Sequence, residues 1–224
     1  AGYHGFEVDL RMTADGELVV THDSTLERTT NGKGIVEKTT AAELRKLRTK
    51  KGNKLIFLDE LLEFLKPIKG LYVEFEMKTS PVEYYPEERL KEYCDKLYSA
   101  VMAARPDDAE YVFTSSDYRG LRYLQQIHPG VDLLMITSKP CNAETIDLAL
   151  ALGIKRIGCT MDGTSRQAVK KAHDKGLIVS LWPGYSPDDF MLGAYLGADF
   201  MCTDIPVQLK KFQTEKAPWL KVIY

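Results

Sequence analysis

Two short stretches of the sequence place carboxylates at every second position. Glu7 and Asp9 alternate with apolar residues, and Glu74 and Glu76 do the same within residues 71–78. Because strand side chains alternate between two faces, Glu7 shares a face with Asp9, and Glu76 shares one with Lys78. Carboxylate oxygens are the hard ligands that Mg²⁺ and Ca²⁺ prefer. We therefore interpret Glu7, Asp9 and Glu76 as candidate cation ligands and Lys78 as a candidate contact for a phosphate oxygen.

The same alternation also has a plainer interpretation. On an antiparallel sheet with one wet face, the acids would simply point to solvent, and Lys78 would be a surface cation. In a parallel barrel both faces are covered, and charges removed from water must be paired or bind a metal. Because both stretches end strands of a predicted barrel, the recurrence favours a cation site.

A turn signal brings a histidine towards the first pair of acids. Asp15-Gly16 lies between two alternating runs and favours a tight turn, so residues 18–22 should fold back beside residues 6–10. His22 would then lie near Glu7 and Asp9. A lone histidine is more often a surface residue or a hydrogen-bonded core residue, but this location makes His22 a candidate for proton transfer.

The elements that must position these residues alternate between strands and helices. Strands are predicted near residues 6, 71, 111, 131, 156, 177 and 199, and helices over 59–65, 86–104, 118–127, 143–152, 165–175, 188–196 and from 206. Such alternation indicates a parallel sheet, and we predict an α/β fold of the TIM (β/α)8 barrel type. A doubly wound open sheet is the alternative, but the sequence has no GxGxxG loop. A barrel usually needs about 250 residues, so we expect one strand and one helix to precede residue 1.

The bulk properties exclude several classes of function. The 224 residues carry a formal net charge of -2, so no general attraction to nucleic acid follows. No apolar run approaches the roughly 20 residues of an integral membrane segment. We interpret residues 1–224 as one domain, with the polar residues 24–57 as a surface excursion. The sequence begins with Ala rather than Met, so it indicates neither a cytoplasmic nor a periplasmic or secreted location, and the oligomeric state is equally open.

Several motifs then occur in a fixed order along nearly the whole chain. They are Glu7-Val-Asp9, Thr13-Ala-Asp15-Gly16, Val19-Val-Thr-His22-Asp23, Leu26-Glu-Arg-Thr-Thr, Glu76-Met-Lys78, Ser115-Ser116-Asp117, Trp182 and Thr203-Asp204-Ile-Pro206. As an ordered set they resemble the glycerophosphodiester phosphodiesterase family. The resemblance implies a TIM barrel that hydrolyses small-molecule glycerophosphodiesters, such as glycerophosphocholine, to glycerol 3-phosphate and an alcohol in lipid and glycerol metabolism.

The resemblance also implies roles for individual residues. It makes Glu7, Asp9 and Glu76 ligands of Mg²⁺ or Ca²⁺, His22 one of two catalytic histidines, Lys78 the phosphate-side lysine, and Trp182 the aromatic residue at the substrate end of a strand. The family's His-Arg-Gly motif, which supplies the other histidine, does not occur in the sequence. Two alternatives therefore stay open: a catalytically incompetent phosphodiester-binding barrel, or a phospholipase-type phosphodiesterase with another head group. Pro183-Gly184-Tyr185 replaces the family's usual Thr-Val-Asn, so the alcohol is not predicted.

Overall fold

The computed structural model describes residues 2–221 of the chain. They divide into two compact units, of which Gly5–Asp132 is the first. The second contains the residues from Leu133 onward together with residues 2–4. Each unit alternates strands with helices and is described by itself.

The first unit contains four strands. Its strands are β1 (Gly5–Met12), β2 (Leu18–Val20), β3 (Tyr72–Met77) and β4 (Glu110–Ser115). β1 lies between β2 and β3, with an antiparallel pairing to β2 and a parallel pairing to β3, and β3 pairs with β4 in parallel. Gly16 in the β1–β2 turn has a φ of 84°, which glycine adopts without a steric penalty. The hairpin predicted from Asp15-Gly16 is confirmed.

The helices of the first unit are α1 (Ala41–Leu44), α2 (Leu58–Leu65), α3 (Glu87–Ala104) and α4 (Tyr118–Ile127). The long helix α3 buries an apolar stripe that includes Leu90, Leu97 and Val101. On β3, the side chains of Val73 and Phe75 are fully buried on the face opposite the acids. This packing fixes the direction in which the acidic face of β3 points.

The polar segment 24–57 contains an apolar cluster of its own. Its buried members, which pack with Val19 of β2, are Leu26, Val36, Ala41, Leu44, Leu55 and Phe57. Burial of these side chains attaches the segment to the hairpin that carries His22. The interpretation of the chain as one domain with a surface excursion stays a prediction.

The second unit has four parallel strands in sequential order. They are β5 (Leu133–Pro140), β6 (Arg156–Thr160), β7 (Ile178–Gly184) and β8 (Phe200–Thr203), and the helices are α5 (Ala143–Ala151), α6 (Arg166–Asp174), α7 (Pro187–Leu196) and α8 (Pro206–Lys216). The side chains of Asn142, Ser165 and Ser186 cap the first three helices. α7 ends at Gly197, whose φ of 93° terminates the helix.

The α/β class predicted from the sequence is confirmed in both units. Each predicted strand and helix has a counterpart, and most boundaries agree within two residues. The largest difference is in β5, which was predicted near residue 131 and extends from Leu133 as far as Pro140. None of the helices within residues 2–221 has the length and apolar content needed to cross a bilayer.

Candidate active site

Three carboxylates converge on one face of the first unit's sheet. Glu7 and Asp9 lie on β1, and Glu76 lies on β3, where it is the register partner of Asp9. One ligand atom from each residue lies within 4.8 Å of the other two. The parallel register is the cause, because it aligns equivalent positions of neighbouring strands. The three residues predicted as cation ligands are thus brought together.

Lys78 neutralises part of this cluster. Its ammonium Nζ lies 2.8 Å from Oε1 of Glu76 and 3.4 Å from Oδ1 of Asp9, and its side chain is 16% exposed. Glu7 is different, because its Oε1 is buried and accepts no hydrogen bond from any group in residues 2–221. Burial, followed by the charges of Asp9 and Glu76, raises the pKa of Glu7 to about 9. At neutral pH, a cation would have to displace a proton from Glu7.

This raised pKa predicts how the stability of the metal-free protein depends on pH. Folded Glu7 keeps its proton up to about pH 9, whereas the unfolded chain loses it near 4.5. The folded state therefore binds the extra proton in this window, and the Glu7 contribution lowers the free energy of unfolding by about 1.4 kcal/mol per pH unit as pH rises. Glu7→Gln should remove this slope, so that the variant is the more stable protein at pH 8. Urea titrations in EDTA between pH 5 and 8.5 measure both slopes.

Saturating Ca²⁺ or Mg²⁺ provides the control for that experiment. A bound cation compensates the ionised Glu7, so the wild type should regain stability at pH 8 and the Glu7→Gln variant should gain much less. Parallel pH profiles of the two metal-free proteins would contradict the assignment of a buried, protonated Glu7.

His22 follows β2 and belongs to a chain of polar contacts. The backbone N–H of Thr21 donates to the carbonyl of Asp9 at 3.0 Å, which places the following residue beside the acidic strand. His22 Nδ1 lies 2.8 Å from Oδ1 of Asp23, and Arg28 Nη2 donates to the same oxygen at 2.8 Å. The Arg28 hydrogen bond holds the pKa of Asp23 well below its usual range. With its side chain 58% exposed, His22 is accessible from solvent.

Several polar residues around this site were not assigned a role from the sequence. Arg11 and Glu37 form a buried ion pair with an Nη1 to Oε1 distance of 2.7 Å. Asp117, which caps α4, accepts a hydrogen bond at 2.8 Å from Thr79 in the loop after β3. The position of Arg11, two residues after Asp9 on the same strand face, is the signal that could have revealed it.

Trp182 lies in the second unit on β7. It is the register partner of Thr160 on β6, and its carbonyl accepts a hydrogen bond from the Met161 N–H at 2.9 Å. Its indole Nε1 is buried and has no acceptor within the described chain. Buried indole N–H groups usually find an acceptor, so this donor is an exception within the described chain.

Comparisons with known proteins agree on one family. The sequence matches the model of the glycerophosphoryl diester phosphodiesterase family over residues 1–208. It is 27% identical over 231 residues to the glycerophosphodiester phosphodiesterase of Bacillus altitudinis, an alignment that covers 96% of this chain and 88% of the relative.

Solved structures share the fold. The structure resembles an Oleispira antarctica phosphodiesterase in complex with the product sn-glycerol-3-phosphate, with a TM-score of 0.83, 21% identity, and coverage of 94% of this chain and 85% of the other. A glycerophosphodiester phosphodiesterase from Parabacteroides distasonis gives a TM-score of 0.80 at 22% identity, with coverage of 96% and 86%. The predicted TIM-barrel class is confirmed by these similarities.

Proposed function

The chain belongs to the glycerophosphoryl diester phosphodiesterase family of phosphoric diester hydrolases, and on this premise we propose that it cleaves glycerophosphodiesters to glycerol 3-phosphate and an alcohol. The observation that carries the proposal is the cluster of Glu7, Asp9 and Glu76 beside Lys78. Three carboxylates beside a single ammonium leave negative charge that a metal cation can neutralise, and the metal ion and the ammonium together can bind an anionic phosphodiester. The resemblance seen in the motifs is confirmed as family membership.

The residues of the cluster fit a divalent cation. They offer only carboxylate oxygens, the donors that Mg²⁺ and Ca²⁺ prefer, and the buried Oε1 of Glu7 has no protein partner in residues 2–221. Glu7, Asp9 and Glu76 would hold the ion. When bound, such an ion polarises phosphoryl oxygens and lowers the pKa of a nucleophilic hydroxyl or water. The family is one of divalent-cation-dependent enzymes, and the choice of Mg²⁺ or Ca²⁺ is part of the proposal.

The surrounding side chains bind the substrate and move its proton. Lys78 now neutralises Glu76 and Asp9. Once a metal cation neutralises these carboxylates, the Lys78 ammonium would be able to contact a phosphate oxygen. The Asp23 carboxylate orients His22 through Nδ1, which assigns proton transfer to Nε2. For Trp182, in the second unit, the proposal keeps the substrate-binding role that the family resemblance implies.

Turnover of glycerophosphocholine by the intact gene product tests this function. Release of glycerol 3-phosphate should require Mg²⁺ or Ca²⁺, stop with EDTA, and return when the ion is restored in excess. Activity that survives the chelator, or no activity with either ion, would refute the proposal. A panel that adds glycerophosphoethanolamine, sphingomyelin and lysophosphatidylinositol then identifies the head group and separates a phospholipase-type specificity from the proposed one.

One observation favours a second candidate function. The 224 residues contain no His-Arg-Gly motif, which in the family supplies a second catalytic histidine. A barrel that binds a cation and phosphodiesters without cleaving them is therefore the alternative. Calorimetric binding of glycerophosphocholine in the presence of Ca²⁺, without glycerol 3-phosphate release by the intact gene product, would support it.

A further inference from the structure

Arg11 is a buried cation that the proposed chemistry does not use. It lies on β1 and is only 5% exposed. Its guanidinium donates to the backbone carbonyls of three residues: from Nε to His22 at 2.8 Å, and from Nη1 to Ser80 at 2.9 Å and to Lys78 at 3.2 Å. A single side chain thus joins the loop after β2 to the loop after β3.

Glu37 fixes the guanidinium in this position. Its Oε1 accepts from Arg11 Nη1 at 2.7 Å and from the Tyr85 hydroxyl at 3.0 Å. The Tyr85 oxygen in turn accepts from the N–H of Met12 at 3.0 Å. Because Glu37 balances the charge of Arg11, the guanidinium does not compete with a cation for the carboxylates of the cluster. Nε and the same Nη1 are also directed to the backbone carbonyls of the two loops.

We propose that Arg11, oriented by Glu37, is a positioning residue that fixes His22 and Lys78 relative to the acidic strand. The inference rests on the proposed function, because His22 and Lys78 have their roles only there. Loops usually move more than the strands that they connect, and Arg11 attaches both loops to the strand that carries Asp9. A planar fork of donors suits this task, whereas the single ammonium of a lysine cannot reach all of the acceptors.

The opposing interpretation is that Arg11 and Glu37 only stabilise the fold. Arg89 provides a matched control, because its Nη2 donates to the carbonyl of Thr13 at 2.8 Å, just beyond the end of β1, and its guanidinium lies over the Tyr85 ring. The hydrogen bonds of Arg89 go to the end of β1 and not to the loops that carry His22 and Lys78. If both arginines are only structural, replacing either should affect kcat to a similar extent. If Arg11 positions the loops, replacing Arg11 should lower kcat and replacing Arg89 should not.

The first experiment is a set of kinetic measurements on the intact gene product. Arg11→Lys should lower kcat about 10- to 100-fold through misplacement of the loops, with Ca²⁺ affinity by calorimetry unchanged, and Arg89→Gln should retain kcat. In the cycle with His22→Ala, Arg11→Lys should lower kcat by a smaller factor in the His22→Ala background than in the wild type, since part of the effect of Arg11 acts through His22 and the rest through Lys78. Additive losses, or equal effects of the two arginine variants, would overturn the proposal.

The second experiment does not need turnover and therefore separates this inference from the proposed function. The ring Cε1–H resonance of His22 is assigned by its disappearance in His22→Ala. Arg11→Lys should shift or broaden this resonance, and Arg89→Gln should leave it unchanged. If Arg11→Lys does not fold, the same measurement is made on the double variant Arg11→Met, Glu37→Leu, which removes both buried charges together. If the shift and line width of the His22 resonance stay unchanged when Arg11 is replaced, the inference is contradicted, even if glycerophosphocholine is cleaved.

Discussion

Glu76→Gln is expected to abolish cation binding and catalysis together. Glutamine has the same shape and its amide oxygen can still accept the hydrogen bond from Lys78, now 2.8 Å from Oε1, so the fold should be preserved. The change removes one of three anionic ligands. A cation stabilises developing charge on phosphoryl oxygens by several kcal/mol, and each step of about 1.4 kcal/mol is tenfold in rate, so we expect a loss of about 10³-fold in kcat/KM. Calorimetric titration with Mg²⁺ and with Ca²⁺, alongside turnover of glycerophosphocholine, measures both effects.

Glu74→Gln is the matched control for this variant. Glu74 lies on the same strand and face, two residues earlier, but its Oε1 accepts a hydrogen bond from the Tyr72 hydroxyl at 2.7 Å and it lies outside the three-residue cluster. The Glu74→Gln variant should bind the cation far more tightly than the Glu76→Gln variant does. Equal losses in the two variants would mean that the negative field of the strand face, rather than coordination by Glu76, attracts the ion.

The sequence determines the elements of this fold strongly because its signals are local. Apolar periodicity separates helix from strand, and capping residues such as Ser186 and Gly197 mark where α7 begins and ends. The end of β5 was harder to predict, since Thr137 to Pro140 continue the strand without an apolar alternation. Pairing with β6, including the irregular register at Pro140, extends the strand there. Such tertiary pairing is not encoded in the local pattern.

The acidic cluster of Glu7, Asp9 and Glu76 could be predicted for the same reason, and the Arg11–Glu37 pair could not. Strand parity places Glu7 with Asp9, and parallel pairing then aligns Asp9 with Glu76. Glu37, in contrast, lies 26 residues after Arg11 within a polar segment interpreted as a surface excursion. Its side chain is 2% exposed because the segment folds over the hairpin around its own apolar cluster. Polar residues buried by such long-range packing leave no periodic signal.

The contact between His22 and Asp23 lies between these two cases. The residues are adjacent, so their pairing is local, but its strength depends on Arg28, which approaches from the following loop. Arg28 keeps the Asp23 carboxylate ionised over a wide pH range by lowering its pKa. An ionised Asp23 continues to accept the Nδ1 hydrogen bond, and so maintains the orientation of the imidazole under assay conditions.

His22→Ala should therefore abolish turnover without affecting cation binding. A positioned general acid–base contributes about 10²- to 10⁴-fold, so we expect kcat to fall within this range. The exposed side chain has little packing to lose, and the free energy of unfolding should change by no more than about 0.5 kcal/mol. His173→Ala is the control, because His173 is a partly exposed histidine whose Nε2 lies 2.9 Å from Oδ2 of Asp199 in the second unit. It should retain kcat. Stopped-assay turnover and Ca²⁺ calorimetry on both variants measure these effects. Unchanged kcat in His22→Ala, or a loss of Ca²⁺ affinity that accompanies the loss of kcat, would show that His22 does not carry the proton.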